Sequence, residues 1–321
     1  MPKERITSDK SKDRKGPKEV YVTLQDLIKL QFEARGFSFL PKYAVQSILS
    51  GRHRSKLRGR GLDFDEVRKY IPGDDIRNID WKVTARVGVT HTKEFTEEKE
   101  RPVLFVVDQG THMFFGSKLY FKSVIAAHLA ALGAWRTLEV GDRVGGLVFN
   151  GTKDYFVMPK RNRQAVQRFL SRISEFNQVL STDKVTLKFD NPLLEALKKT
   201  NEVVTHDYLV VVLSDLNYAN DQVIKQLIRL KKNNDVIFGH VWDPLEKEIL
   251  AKKITLSDGE YQILIAKDKT LKNNYKKAQA ALLQKTQEDF KKYGIPFLSF
   301  STLESPAHQL RALISSNKRK R

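Results

Sequence analysis

Apolar runs in this sequence end in aspartates, and a histidine closely follows one of them. Asp108 ends "VLFVVD" and is followed by "QGTH", whose last residue is His112, while Asp215 ends "YLVVVLSD". Carboxylate oxygens combined with an imidazole nitrogen suit Zn²⁺, Mn²⁺ or Ni²⁺ better than Mg²⁺. One hypothesis is therefore a transition-metal site made by Asp108, His112 and Asp215. The alternative is that both aspartates stabilise their loops through hydrogen bonds, as aspartates do at turns and helix starts.

A second group of reactive side chains lies in "YIPGDDIRNIDW", residues 70–81. It combines carboxylates with a guanidinium and an indole: Asp74, Asp75, Arg77, Asp80 and Trp81. Paired carboxylates can transfer protons, and an arginine can bind a phosphate. Because no nucleophile or glycine-rich phosphate loop accompanies them, we favour a salt-bridged turn in which Arg68 or Arg77 neutralises the carboxylates and Trp81 is an anchor. The segment is also a candidate interaction surface.

A third candidate surface is basic and lies in "GRHRSKLRGRG", residues 51–61. Cationic side chains alternate along it: Arg52, Arg54, Lys56, Arg58 and Arg60. In an extended chain alternate residues point to the same side, so this stretch could contact phosphates or an acidic protein. A solvated basic loop is the other interpretation. Few aromatic residues are interleaved, which disfavours recognition of single strands by base stacking.

The sequence lacks the patterns of the common catalytic sites. It has no P-loop, no G-x-S-x-G and no H-E-x-x-H motif. It also has no cysteine, which excludes disulfides, thiolate zinc sites and a cysteine nucleophile. These observations favour a protein that is not an enzyme.

The overall charge indicates an anionic partner. The chain has 57 Lys and Arg against 38 Asp and Glu, a formal net charge of +19. Nucleic acid, an acidic protein and an anionic membrane surface are all compatible with that charge. The N-terminus has no apolar signal region, and the apolar runs are shorter than the ~20 residues of a membrane-spanning helix. We therefore expect a soluble, cytoplasmic protein with no membrane span.

The elements that must position these groups follow a regular rhythm from about residue 101. Continuous apolar runs alternate with amphipathic stretches, which predicts a doubly wound α/β fold with a mostly parallel sheet. The carboxyl ends of parallel strands meet at one edge, so Asp108 and Asp215 should lie together. We assign a flexible charged leader (1–18), a smaller N-terminal lobe (19–100), the α/β domain (101–316) and a basic tail (317–321).

The order of these blocks is similar to the von Willebrand factor A fold, and the sequence resembles the bacterial domain-of-unknown-function 58 family. The resemblance rests on "GLDFDEVRKYIPGDDIRNIDWKVTAR" (61–86), then on "MFFGS", "GDRVGGLVF", "LSDL" and "VWDPLE" in that order. It implies a von Willebrand A-like domain over 101–316. It also implies a MoxR-type AAA+ ATPase as partner and a role in the assembly or maturation of other proteins.

The resemblance also bears on the metal hypothesis. Von Willebrand A domains hold a metal ion with Asp-x-Ser-x-Ser, a threonine from a second loop and an aspartate from a third. Asp108 and Asp215 match two of these positions, but Gly110 and His112 stand where the serines should be, and only Asp190 or Asn191 could replace the threonine. We therefore expect a degenerate adhesion-type site that holds a divalent metal only in an altered form.

Three functions remain open on the sequence alone. The favoured one is a non-enzymatic interaction or assembly factor that works with a MoxR-type ATPase. A nucleic-acid-binding protein that uses the basic surface is the first alternative, and a metal-dependent hydrolase is the second.

Overall fold

The computed structural model describes residues 17–35, 62–97, 101–182, 187–247, 254–257, 262–265 and 269–316. The chain divides into two compact units, one made of residues 1–42 with 101–321 and the other of residues 43–100. The strands are β1 (Leu62–Lys69), β2 (His91–Glu97), β3 (Val103–Asp108), β4 (Val144–Phe149), β5 (Asp154–Lys160), β6 (Leu209–Ser214), β7 (Asp235–Trp242), β8 (Ile254–Ser257), β9 (Gln262–Ile265) and β10 (Phe297–Ser301).

The helices have the following bounds: α1 (Leu24–Lys29), α2 (Trp81–Val87), α3 (Lys122–Val140), α4 (Arg163–Gln178), α5 (Pro192–Val203), α6 (Asp221–Lys231), α7 (Pro244–Lys247), α8 (Lys269–Lys292) and α9 (Pro306–Ser316). Short 3-10 turns occur at Ile76–Asn78 and Thr111–Met113. None of the helices within these described ranges is both long and apolar enough to cross a membrane.

A six-stranded sheet forms the centre of the larger unit. Its strand order is β10-β7-β6-β3-β4-β5. Neighbouring strands are parallel except for β5, which forms an antiparallel hairpin with β4 at one edge. The prediction of a mixed α/β fold with a mostly parallel sheet is confirmed.

Helices cover both faces of this sheet because its central strands are apolar throughout. Successive residues of β3 point to opposite faces, as the period of a strand requires. Phe105 and Val107 enter a core with α3 and α4. Leu104 and Val106 enter a second core with α5 and α6. The sheet is therefore buried on both sides, and its polar groups concentrate at the strand ends.

Helix α3 runs the length of the sheet and ends sharply. Gly141 follows its last residue with a φ of 98°, a left-handed conformation that favours glycine. The helix begins at Lys122, at the carboxyl edge of the sheet, so its first turn lies beside the ends of β3 and β6.

The N-terminal segment belongs to the larger unit, and the predicted lobe of residues 19–100 differs from the structure here. Thr23 and Asp26 form a capping box that begins α1. The Trp135 indole N–H donates to the Leu27 carbonyl at 3.0 Å, and the Val22 N–H donates to Asn177 Oδ1 at 2.8 Å. These contacts fix residues 17–35 on α3 and α4, and the smaller unit starts at residue 43.

The smaller unit contains an antiparallel pair of strands that the sequence did not predict. β1 pairs with β2, with an irregularity in the register between Phe64 and Glu66. The connection between the strands contains a 3-10 turn and α2, and it holds the signature segment of residues 70–81.

Candidate functional site

The carboxyl edge of the sheet brings Asp108, His112 and Asp215 together. Because β3 and β6 are parallel neighbours, Asp108 at the end of β3 and Asp215 directly after β6 reach the same edge. His112 lies on the 3-10 turn after β3, with its Nε2 3.0 Å from Asp108 Oδ2 and 3.7 Å from Asp215 Oδ1. The imidazole therefore lies between two buried carboxylates, which are 0% and 2% exposed.

Both aspartates also stabilise their own loops. Asp108 Oδ1 accepts a hydrogen bond from the Gly110 N–H at 2.9 Å, and Asp215 Oδ1 accepts one from the Asn217 N–H at 2.9 Å. Ser214 Oγ donates to Asp108 Oδ2 at 2.5 Å, which links the ends of β3 and β6. The loop-stabilising role proposed for Asp108 and Asp215 is thus present, in addition to their contacts with His112.

The position of the His112 ring leaves room only for glycine at position 110. A Cβ on Gly110 would lie 2.5 Å from His112 Cε1 and 3.1 Å from Asp108 Oδ1. A side chain here would push the imidazole away from Asp108. The glycine and the histidine that replace the two expected serines are therefore sterically coupled.

A lysine that the sequence analysis did not single out completes this cluster. Lys122 is 1% exposed, and its Nζ donates to Asp215 Oδ2 at 2.7 Å and to Glu246 Oε1 at 2.5 Å. It is the first residue of α3, where the helix dipole disfavours a positive charge. The two carboxylates must offset both this effect and the cost of burying the ammonium.

The pKa values of the cluster reflect burial and mutual attraction. Burial alone would lower the pKa of Lys122, but the charges of Asp215 and Glu246 raise it above its ordinary value. Burial likewise opposes protonation of His112, yet Asp108 and Asp215 raise its pKa. For Asp215, burial is outweighed by Lys122 and His112, and its pKa is lowered. Glu246 differs, because burial dominates and raises its pKa. Asp215 is therefore the principal counter-ion of Lys122.

An aromatic ring covers the imidazole. Tyr218 packs edge-on against His112, with ring centroids 4.8 Å apart. Burial and then the charges of Asp108 and Asp215 raise the pKa of Tyr218 to about 12, so its phenol stays neutral at physiological pH. This contact and the Asp108 contact together hold the imidazole in place.

Asp190 and Asn191, the second-loop candidates to replace a metal-binding threonine, do not serve as ligands in this arrangement. Asn191 caps α5 by accepting from the Leu194 N–H at 2.9 Å, and its Nδ2 donates to the Tyr218 carbonyl at 2.9 Å. Asp190 is exposed. Asn191 thus joins two loops of the carboxyl edge rather than pointing to Asp108.

A further carboxylate at this edge of the sheet, Asp243, connects the surrounding loops through hydrogen bonds. It accepts from the Ser117 N–H at 2.8 Å, from Ser117 Oγ at 2.6 Å and from Thr302 Oγ1 at 2.6 Å. Burial would raise the pKa of Asp243, but these hydrogen bonds lower it. The loops that follow β3, β7 and β10 are therefore joined through one side chain.

The residues of the cluster do not fit a divalent cation as they are arranged. A hard cation needs several oxygen ligands. Gly110 offers no side chain, His112 pairs with Asp108, and the Lys122 ammonium lies against Asp215. Within the described ranges, no group of three or more histidine, aspartate and glutamate side chains is placed to hold a metal ion.

The acidic signature segment of the smaller unit is a locally stabilised turn. Arg68 forms two hydrogen bonds with Asp74, at 2.7 and 2.8 Å, and Asp74 Oδ2 also accepts from the Ile71 N–H at 2.9 Å. Asp75 accepts from the backbone N–H of Arg77 at 3.0 Å, while the Arg77 side chain is 89% exposed. Both arginines proposed to neutralise these carboxylates form ion pairs, Arg68 with Asp74 at 2.7 Å and Arg77 with Asp75 at a longer 3.5 Å.

Asp80 begins α2. Its Oδ1 accepts from the N–H groups of Lys82 and Val83, both at 3.0 Å, and the Val83 bond is the principal cause of its lowered pKa. Trp81 is 69% exposed, and its proposed role as an anchor stays a prediction. Ile76 is 67% exposed on the same segment, which leaves apolar surface available here.

Several predicted features lie outside the residues that the structure describes. These are the basic side chains Arg52, Arg54, Lys56, Arg58 and Arg60, residues 1–16 of the leader, and the tail 317–321. Their roles stay predictions.

Known proteins resemble this chain over most of its length. The family model described as "Protein of unknown function DUF58" matches residues 66–285, more than half of the chain. An uncharacterized protein of Mycobacterium bovis is 26% identical over 277 residues, covering 85% of this chain and 85% of that protein. Uncharacterized proteins of two Mycobacterium tuberculosis strains match with the same identity and coverage. The range of the family match includes the signature segment and the carboxyl-edge cluster.

Proposed function

This chain belongs to the DUF58 family of proteins of unknown function, and from that premise we propose that it is a cytoplasmic, non-enzymatic interaction factor. It works with a MoxR-type AAA+ ATPase in the assembly or maturation of other proteins. Its larger unit is a von Willebrand A-like domain, and the partner binds at the carboxyl edge of the sheet.

The observation that carries this proposal is a pair of exposed leucines on adjoining loops of that edge. Leu119 is 48% exposed and Leu303 is 45% exposed. The Tyr120 N–H donates to the Thr302 carbonyl at 3.1 Å, so the residues next to the two leucines are in direct contact. Exposed charged residues, Lys118 and Glu304, flank them. Apolar contacts with a polar rim are typical of protein interfaces.

The charged groups beneath this surface support a binding role. Lys122, Asp215, Asp108 and His112 are engaged with one another and are largely buried. Such an arrangement holds the loops in a fixed geometry and so preorganises a surface, which lowers the entropic cost of binding a partner.

Binding to the MoxR-type ATPase of the same organism tests the proposal. We expect Leu119→Glu and Leu303→Glu each to weaken the affinity at least ~10-fold, measured by calorimetry or biolayer interferometry, because each places a charge in an apolar contact. Val140→Glu is the matched control. Val140 is 59% exposed at the other end of α3, about 27 Å along the helix, and its substitution should leave the affinity unchanged.

Two results would contradict the proposal: no binding of wild type to the ATPase, or equal weakening by Val140→Glu. The circular dichroism and melting temperature of each variant establish that it is folded.

The basic stretch of residues 51–61 supplies a second contact in this proposal. An acidic region of the partner would meet its cations, so charge reversal at Arg54 and Arg58 should weaken binding. Insensitivity of the affinity to that reversal would remove this part of the proposal.

The net charge of +19 favours nucleic-acid binding as a second candidate function. It predicts retention of DNA or RNA at physiological salt, with an affinity that falls linearly on a log–log plot against salt concentration. Filter binding across a salt series measures that slope. Failure to retain either nucleic acid would exclude this candidate.

A further inference from the structure

The von Willebrand A resemblance leads one to expect a divalent cation at the carboxyl edge, but the edge is arranged around a lysine. Lys122 Nζ lies between Asp215, which follows β6, and Glu246 of α7. It is 1% exposed, so its charge is balanced within the protein rather than by water.

The carboxylate oxygens that could bind a metal ion are already hydrogen-bonded. Asp108 Oδ1 and Asp215 Oδ1 each accept from a backbone N–H at 2.9 Å. Asp108 Oδ2 accepts from Ser214 Oγ, and Asp215 Oδ2 accepts from Lys122. An incoming cation would have to displace these donors and lie against the ammonium of Lys122.

The loop after β3 is shaped for the same arrangement. A serine at position 110 would supply a metal-binding hydroxyl, but its Cβ would lie 2.5 Å from the His112 ring. Where the metal-binding pattern has two serines, this chain therefore has a matched pair in which the glycine makes room for the imidazole.

We propose that Lys122 is the resident cation of this edge and stands in place of a divalent ion, so that the fold here needs no metal. This inference concerns the cluster itself and does not rest on the proposed function, because it holds whether or not a MoxR-type ATPase binds.

Titration of the full chain with MgCl₂, MnCl₂ and ZnCl₂ by calorimetry tests the inference first. Wild type should show no single-site binding that Asp108→Ala abolishes, and its melting temperature should be the same in EDTA as in excess Mg²⁺ or Mn²⁺. A one-to-one site in wild type that disappears in Asp108→Ala would overturn the inference.

Removal of the ammonium provides the converse test. Lys122→Ala leaves Asp215 and Glu246 without their cation beside His112, so this variant should gain Mn²⁺ binding and melt at a higher temperature with Mn²⁺ than with EDTA. Lys118→Ala removes an exposed lysine four residues earlier and should gain nothing. A folded Lys122→Ala variant that binds no divalent ion would also overturn the inference that Lys122 takes the place of such an ion. If that variant does not fold, the wild-type titration and its Asp108→Ala counterpart decide the question.

Discussion

Two of the regions in which an aspartate lies beside a basic side chain differ in how far the pair is buried, and so in the cost of breaking it. At the carboxyl edge, Asp215 and Lys122 are each 2% exposed at the side chain. In the signature segment, Asp74 and Arg68 are 19% and 33% exposed. Breaking a buried pair leaves an uncompensated charge in a medium of low polarity, whereas water compensates a partly exposed charge. Removal of one partner should therefore cost much more stability at the carboxyl edge than in the signature segment.

The largest expected effect on stability comes from breaking the buried pair of Lys122 and Asp215. Lys122→Met should lower the free energy of unfolding by about 3–5 kcal/mol, because it leaves Asp215 and Glu246 buried without a counter-ion. Urea denaturation measures the change. Lys118→Met, which removes an exposed lysine from the same loop region, should change stability by less than about 0.5 kcal/mol. Equal effects of the two substitutions would show that the buried Lys122 contributes no more to stability than an exposed lysine does.

His128, on helix α3, should make the stability of the larger unit depend on pH. Burial lowers the pKa of His128 to about 4 from 6.5 and outweighs the opposing effect of the Asp26 charge. The unfolded chain therefore takes up a proton at higher pH than the folded chain does, and stability falls as the pH drops from about 6.5 towards 4. Since the side chain is partly exposed, we expect a loss of about 1–2 kcal/mol between pH 7 and pH 5.

His128→Gln is the variant that isolates this contribution. Its stability should decline less than that of wild type over the same pH range, as followed by urea denaturation at each pH. Parallel pH profiles for the two proteins would show that His128 is not the group responsible.

The steric coupling of Gly110 and His112 has an intermediate expected effect. Gly110→Ala should cost about 1–2 kcal/mol, because the new Cβ displaces the imidazole from Asp108. In a His112→Ala background the same substitution should cost less, since the ring is gone, the φ of Gly110, −74°, suits alanine, and only the 3.1 Å approach to Asp108 Oδ1 remains. A double-mutant cycle measures the coupling. Additive effects would mean that the ring and the glycine are independent.

The smallest effect belongs to the partly exposed pair. Arg68→Ala should lower stability by about 0.5–1 kcal/mol, at the upper end for a surface ion pair because its contact with Asp74 is bidentate. Arg77→Ala is the matched control, since the Arg77 side chain is 89% exposed, and thermal melting should not detect it. A larger shift for Arg77→Ala than for Arg68→Ala would contradict this assignment.

The sequence predicted the sheet and its polar edge because both depend on local patterns. Continuous apolar runs identify buried parallel strands, and the ends of such strands meet at one edge. The expected proximity of Asp108 and Asp215 rested on that rule and on the sheet order, and the parallel pairing of β3 with β6 makes their strands neighbours. The loop that joins β4 to β5 contains Asn150-Gly151, and Gly151 has a left-handed φ of 84°, but the loop comprises residues 150–153 rather than the two-residue turn typical of Asn-Gly.

The remaining features depend on contacts between distant parts of the chain. Lys122 meets Glu246 across 124 positions, and no local pattern pairs them. A lysine in "YFKSVIAAHLAAL", a mostly apolar stretch that also contains Ser123 and His128, was the one available signal. The N-terminal segment was misassigned because its decisive hydrogen bond, from Val22 to Asn177, spans 155 positions. β1 and β2 were missed because their sequences are rich in charged residues.

A double-mutant cycle between Lys122 and Asp215 tests the account most directly. Stabilities of wild type, Lys122→Met, Asp215→Asn and the double variant give the coupling energy between the two side chains. If Lys122 is the internal cation of the carboxyl edge, the coupling will be about 2 kcal/mol or more, and the double variant will be more stable than Lys122→Met alone. Additive losses, with a coupling energy near zero, would contradict the account.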